Sequence, residues 1–308
     1  MKRRDFLGCL GGSVIYLGAC SRVPVTSHSN AFKLLFFTDV HTMEEFGVPE
    51  ALDQLADQIN KINPDLIIGG GDYIHRGFNS APERAEKLYQ IFAKFLDRLD
   101  ARTELMIGNH DLVSAVDKEG NILSGDPRAM FREKTGVSQI YRSFDFKEHH
   151  VIILDTIQVV GGKRSYRAVV DTEQLDWIKR DLQGVSEKTP IILASHVPLR
   201  TTFMQKMFSS RRVLPHNLVL ENANEVLDLF KGHQLKLVLQ GHLHVNERIY
   251  WNDTAFVMGG AVCGRWWTGI NLGTSEGFGT FESDGPDSSW NYHNTGWKAQ
   301  RPRESRIY

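Results

Sequence analysis

Aspartate, asparagine and histidine recur together in five short clusters. These are Asp39-Val40-His41, Gly71-Asp72, Gly108-Asn109-His110-Asp111, Ser195-His196-Val197-Pro198 and Gly241-His242-Leu243-His244. Carboxylate oxygen, amide oxygen and imidazole nitrogen together suit borderline divalent cations such as Mn, Fe, Zn, Ni or Co. No cluster contains a cysteine, which excludes a structural zinc site of the thiolate type. Two such cations about 3.5–4 Å apart stabilise both the attacking and the leaving oxygen of a displacement. A ligand shared between two cations needs two oxygens on a short side chain, and Asp72 offers that. The glycines at 69–71 let the backbone turn sharply and let a cation approach closely.

These clusters can act together only if the chain brings them to one edge. Six short apolar runs have the length of buried strands: Leu34–Thr38, Leu66–Ile68, Leu105–Ile107, Val151–Leu154, Ile191–Ala194 and Leu235–Leu239. The clusters stand at or just past the ends of such runs, where open α/β sheets place their sites. Between them the spacing predicts helices over Pro49–Ile62, Ala81–Leu99 and Asp171–Leu182, the last with Asp171 or Thr172 as N-cap. This alternation argues for layered α/β structure. Tyr141–Asp155 reads instead as two adjacent strands around Lys147-Glu148. After Gly241 the helical signal fades. Asn252-Asp253 and Ser283-Asp284-Gly285-Pro286 each sit between apolar runs as hairpin turns.

A chain of 308 residues, 41% of them hydrophobic, can bury a sizeable core without cross-links. Its net charge of −1 does not favour a nucleic acid as partner. Three cysteines exclude a disulfide framework, and Cys263 reads as an inert buried thiol. The first twenty residues have the basic start and short apolar run of an export signal. Arg3-Arg4 before Phe6-Leu7 resembles a twin-arginine signal, and Leu17-Gly18-Ala19-Cys20 resembles a bacterial lipobox. The expectation is cleavage before Cys20, a lipid on Cys20, a tether over residues 21–30, and a membrane-anchored lipoprotein facing the periplasm or cell exterior.

The ordered set Asp-x-His, Gly-Asp, Gly-Asn-His-Asp, lone His and Gly-His-x-His resembles the calcineurin-like metallophosphoesterase superfamily, from Leu34 to His244. The resemblance implies an α/β fold, a β-sandwich of mixed sheets flanked by helices. The domain is expected over residues 31–262, with an antiparallel β extension over 263–308 packed on it. It implies that Asp39, His41, Asp72 and His244 hold one divalent cation and Asp72, Asn109, His196 and His242 a second. His110 would be general acid or charge stabiliser without binding metal, and Asp111 would hydrogen-bond the His110 ring and raise its pKa. His75 and Arg76, in Gly71-Asp72-Tyr73-Ile74-His75-Arg76-Gly77, are candidates for a supporting or substrate-binding role, whereas Tyr73 reads as packing. The remaining histidines lie outside any motif. The Gly264-Arg265-Trp266-Trp267 loop combines a cation with two indoles and could suit a ring-bearing or phosphate-bearing substrate.

The function implied is hydrolysis of a small phosphate monoester, diester or phosphoanhydride by in-line attack of a metal-bridging hydroxide. A non-catalytic metal- or phosphate-binding lipoprotein is the alternative from another class. A nuclease is the second alternative, and the near-neutral charge argues against it.

Overall fold

The computed structural model describes residues 31–162, 166–203, 216–284 and 287–303. The export signal, Cys20 and the tether lie outside these residues. Two mixed sheets stack face to face. The first contains β1 (Phe32–Phe37), β2 (Leu66–Gly69), β3 (Thr103–Leu105), β12 (Gly277–Asp284) and β13 (Asp287–Asn294), in the order β13-β12-β1-β2-β3. The second contains β4 (Arg142–Phe146), β5 (His149–Ile153), β8 (Pro190–Ser195), β9 (Gln234–Gln240), β10 (Asn246–Trp251) and β11 (Thr254–Gly259), in the order β10-β11-β9-β8-β5-β4. A two-stranded ribbon joins β6 (Ile157–Val159) and β7 (Tyr166–Ala168).

The period of two along each strand sorts side chains between two cores. Phe32, Leu34 and Phe36 of β1 meet Val151, Ile153, Ile192 and Ala194 between the sheets. Leu35 and Phe37 point the other way, into the layer shared with the helices. There Phe37 packs edge-on to Phe95 of α2 (Pro82–Leu96), at 5.4 Å between ring centres. α1 (Val48–Ile62) contributes Leu52, Leu55 and Ile59 to the same layer and stops at Asn63, whose φ of 52° ends the helix. On the other sheet, α4 (Thr172–Leu182) starts where the Asp171 side chain accepts the Gln174 N–H, and Asp181 ties it to Ser143 and His150. The layers are therefore helix, sheet, sheet, helix, as the α/β reading expects.

The first hairpin forms where its turn residues lie, whereas Ser283 and Asp284 of the second expected turn belong to β12 and pair with Ser288 and Asp287 of β13. Asn252 and Asp253 take φ of 47° and 61°, which suits the twist of β10 and β11. The C-terminal strands extend the first sheet, with β12 antiparallel to β1. The third apolar run forms β3 two residues earlier than expected, because Met106 and Ile107 already turn into the loop that carries Asn109. Short α3 (Ala129–Thr135), the β6–β7 ribbon and α5 (Ala223–Asp228) had no predicted counterpart; each is too short to carry a clear period.

Parallel pairing decides where the loops go. β1, β2 and β3 run parallel in one sheet, and β5, β8 and β9 in the other. The loops after β1, β2, β3, β8 and β9 carry the five polar clusters, and the structure brings them together.

Candidate metal centre

Loops entering one small volume from two sheets must turn sharply. Asp39, His41, Asp72, His242 and His244 all take left-handed backbone conformations, with φ between 47° and 74°. Such a conformation costs a non-glycine residue about 1–3 kcal/mol and persists only where the surroundings enforce it. Here the loops hold each other. The Asp39 and His41 N–H groups donate to the Gly71 and Asp72 carbonyls, at 3.0 and 2.9 Å. Gly71 needs its own φ of 91°, and a Cβ on Gly108 would stand 2.3 Å from Asp72 Oδ1. Those glycines fit loop to loop, rather than making room only for a cation.

In the first half of the centre, His244 Nε2 lies 3.2 Å from Asp39 Oδ1 and 3.1 Å from His41 Nε2. His244 Nδ1 donates to the Gly264 carbonyl at 2.7 Å, so its Nε2 presents a lone pair. Asp39 Oδ1 is buried without a hydrogen bond, while Oδ2 accepts from Thr38 Oγ1 and from the His242 N–H. In the second half, His196 Nδ1 donates to the Gly70 carbonyl, and Nε2 faces Asp72 Oδ2 at 3.3 Å and Asn109 Oδ1 at 3.2 Å. The His242 Nε2–H donates to the Asn217 carbonyl at 2.8 Å, leaving Nδ1 as its lone-pair atom, and the ring groups with Asp72 and His196. Asp72 Oδ2 also lies 3.6 Å from His41 Nε2 and so faces both halves. Its Oδ1 accepts the His110 N–H at 2.7 Å. One carboxylate oxygen, rather than two, is therefore placed between the halves.

Lone pairs that converge at 3.1–3.6 Å with few protons among them call for positive charge. Donors about 2.0–2.2 Å from a shared cation stand at about such separations from each other. Holding each histidine by its other nitrogen on a carbonyl is the usual support for metal-ligating imidazole. The charge balance agrees. Burial disfavours a charged ring, yet Asp72 pushes His196 up to about 9. Burial also opposes ionisation of Asp72, but His196 and His110 hold its carboxyl below the usual range. The residues present fit divalent cations.

Asp111 departs from expectation. Its carboxylate does not reach the His110 ring. It accepts N–H groups from Asp72, Tyr73, Gly108 and, at longer range, Ile74. It is a positioning residue that shapes the loop presenting Asp72. Burial, and then the Asp72 charge, push it up to about 8 while the N–H donors pull the other way. Nor is the His110 pKa raised; burial, and behind it neighbouring imidazoles, push it down to about 3 despite Asp72. The His110 ring instead accepts the Arg76 N–H at Nδ1, 2.9 Å away, which places its proton on Nε2.

His75 comes within reach of His41 and His110. Arg76 lines a cavity of about 410 Å³ with Ser80, Arg84 and His110. Tyr73 is packing, stacked on Phe92 with its hydroxyl on the Met106 carbonyl. His149, His150, His216, His233 and His293 stay outside the centre; His150, for instance, bridges Asp145 and Asp181. His28 lies outside the described residues. Sequence reasoning missed Thr38 and the environment of Cys263. That thiol is buried and free as expected, and it lies 3.7 Å from His244 Nδ1. The two indoles diverge: Trp267 is buried against Trp297, and Trp266 lies over the histidines.

The calcineurin-like phosphoesterase family model matches residues 32–246, and the chain belongs to that family. Among curated relatives, the 3',5'-cyclic adenosine monophosphate phosphodiesterase CpdA of Escherichia coli (strain K12) is 26% identical over 201 residues, 65% of this chain and 61% of that protein. The chain thus spans about three-fifths of the length of the first curated relatives it matches. A probable cyclic nucleotide phosphodiesterase of Xenorhabdus bovienii is 24% identical over 255 residues, 81% of this chain and 88% of the relative. Among solved structures, a dimetal phosphatase from Danio rerio superposes with a TM-score of 0.64 at 13% identity, covering 86% of this chain and 96% of its own. That likeness concerns the fold.

Proposed function

We propose that this chain hydrolyses small phosphodiesters, cyclic nucleotides among them, at a two-cation centre. The observation that carries the reading is the convergence of lone pairs from Asp39, His41, Asp72, Asn109, His196, His242 and His244, with the His110 Nε2–H beside them. The names of the curated relatives support a diester in preference to a monoester.

When bound, the cations supply Lewis acidity to a phosphoryl oxygen and an activated water near neutral pH. Asp39, His41 and His244 would hold one cation and Asn109, His196 and His242 the other, with Asp72 contributing to both. The water oxygen forms its bond to phosphorus in line with the ester oxygen that departs. His110 Nε2–H is placed to donate to that departing oxygen, or to the phosphoryl oxygen on which charge grows. The Arg76 N–H on Nδ1 fixes the tautomer that makes this donation possible. The N-terminal pattern supports an extracytoplasmic lipoprotein acting on a substrate outside the cytoplasm; absence of fatty-acid label on the wild type in a bacterial host would refute that part.

The test compares an aryl phosphate diester and monoester with added Mn²⁺, alongside elemental analysis. Wild type should carry about two cations per chain and prefer the diester. Asp72→Ala should lose metal and activity together. His110→Ala should keep its metal and lose on the order of 10²–10⁴-fold in rate. Wild-type protein that binds metal without turnover would leave only the binding-lipoprotein reading standing.

A further inference from the structure

Trp266 is held where an exposed apolar side chain has no structural reason to be. Its indole lies 4.2 Å from the His41 ring, 4.8 Å from His244, 5.2 Å from His75 and 5.4 Å from His110, between ring centres. Despite these contacts 37% of it remains exposed, against 1% for Trp267 next to it. Both residues take left-handed backbone, with φ of 52° and 60°. Two successive non-glycine residues in that region cost about 1–3 kcal/mol each. The loop is made rigid enough to sustain this. Trp267 Nε1 donates to the Val40 and His41 carbonyls, both at 3.0 Å, and the Trp267 N–H donates to the Cys263 carbonyl at 2.8 Å. The neighbouring Gly264 carbonyl accepts His244 Nδ1. The indole is thus fixed to the same loops that carry the ligands, its ring 5.4 Å from that of His110, and part of its surface remains open.

We infer that Trp266 is a specificity-determining residue, a stacking platform that selects phosphate esters bearing a planar ring close to phosphorus. The inference rests on the proposed centre: if His110 faces the departing oxygen, the group attached to that oxygen comes against the indole. A nucleobase or aryl group can lie on it with the offset or tilted geometry that aromatic pairs prefer. A saturated group of equal size packs there without the π face that such pairing needs.

The test is calorimetric titration of the Mn²⁺-loaded protein with inorganic phosphate, phenylphosphonate and cyclohexylphosphonate, the last two being proof against hydrolysis. Wild type should bind phenylphosphonate about 2- to 10-fold tighter than cyclohexylphosphonate, the scale of one aromatic pair. Trp266→Leu keeps apolar bulk and should abolish that preference while leaving phosphate binding unchanged. Trp266→Phe keeps a ring and should retain it; both variants are melted thermally beside wild type. Equal affinities in wild type, or a preference that survives in Trp266→Leu, overturns the platform. Failure of inorganic phosphate to bind wild type overturns the centre itself, and the platform with it.

Discussion

The two halves of the candidate centre draw on the same ligand types but are built differently. In the first, Asp39, His41 and His244 all have left-handed backbone, all are buried, and Trp266 lies over them. In the second, only His242 is left-handed. Asn109 starts a 3-10 turn, His196 directly follows β8, and His242 is only half-buried. Strain and the indole cover are concentrated on one side, and His110 stands on that side as well, its ring 4.7 Å from that of His41. Such a division suits a centre in which one cation site is held more rigidly than the other. Each expectation below tests that asymmetry.

The largest effect should come from removing what both halves share. Asp111 is fully buried and accepts four backbone N–H groups around Gly108 and Asp72–Ile74. Asp111→Ala leaves those donors without an acceptor, at about 1–3 kcal/mol for each one stranded. Metal-free protein should therefore lose at least about 3 kcal/mol of stability, read as a lowered thermal midpoint. An unchanged midpoint would show that these loops do not depend on Asp111.

A smaller and more selective effect should follow from Thr38→Val, which keeps side-chain shape and deletes the hydroxyl bonded to Asp39 Oδ2 at 2.6 Å. Outer-shell partners of this kind are worth about 10- to 100-fold in metal affinity. Calorimetric Mn²⁺ titration should show one of two binding phases weakened by that factor and the other unmoved. Equal weakening of both phases would erase the distinction between the halves.

How much of this was legible in the sequence follows from what each feature leaves in it. The seven expected ligands stand out because cation chemistry restricts residue type, and parallel strands restrict where ligands fall along the chain. The strand runs were legible because burial on both faces demands an unbroken apolar stretch, as in β1, and the three long helices because one buried face imposes a period, as in α1. The Gly70, Gly264 and Asn217 carbonyls that orient His196, His244 and His242 left no trace, since any residue supplies a carbonyl. The left-handed conformations were equally silent, because glycine is their usual signal and aspartate and histidine occupy these positions. The role of Asp111 was misread for a geometric reason. The resemblance implied a side-chain pair with His110, but the 3-10 turn over Asn109–Asp111 sends the carboxylate back into the loop.

The smallest expected effect concerns Arg76, and it separates main chain from side chain. The Arg76 N–H orients His110, and that bond survives any substitution that keeps the N–H and the left-handed backbone at φ 57°. The residue also lines the cavity of about 410 Å³ with Arg84. Arg76→Ala should therefore leave kcat nearly unchanged and raise KM for an anionic substrate by about 2- to 10-fold, the range of one exposed charge contact screened by solvent. Added salt should shrink the difference, since screening acts on the guanidinium and not on the main-chain bond. Arg76→Asn, whose side chain tolerates left-handed backbone better than alanine, should show the same KM change. A fall in kcat for Arg76→Ala that Arg76→Asn restores would point to loss of the loop conformation. A fall in both would place the guanidinium against the reacting phosphoryl group.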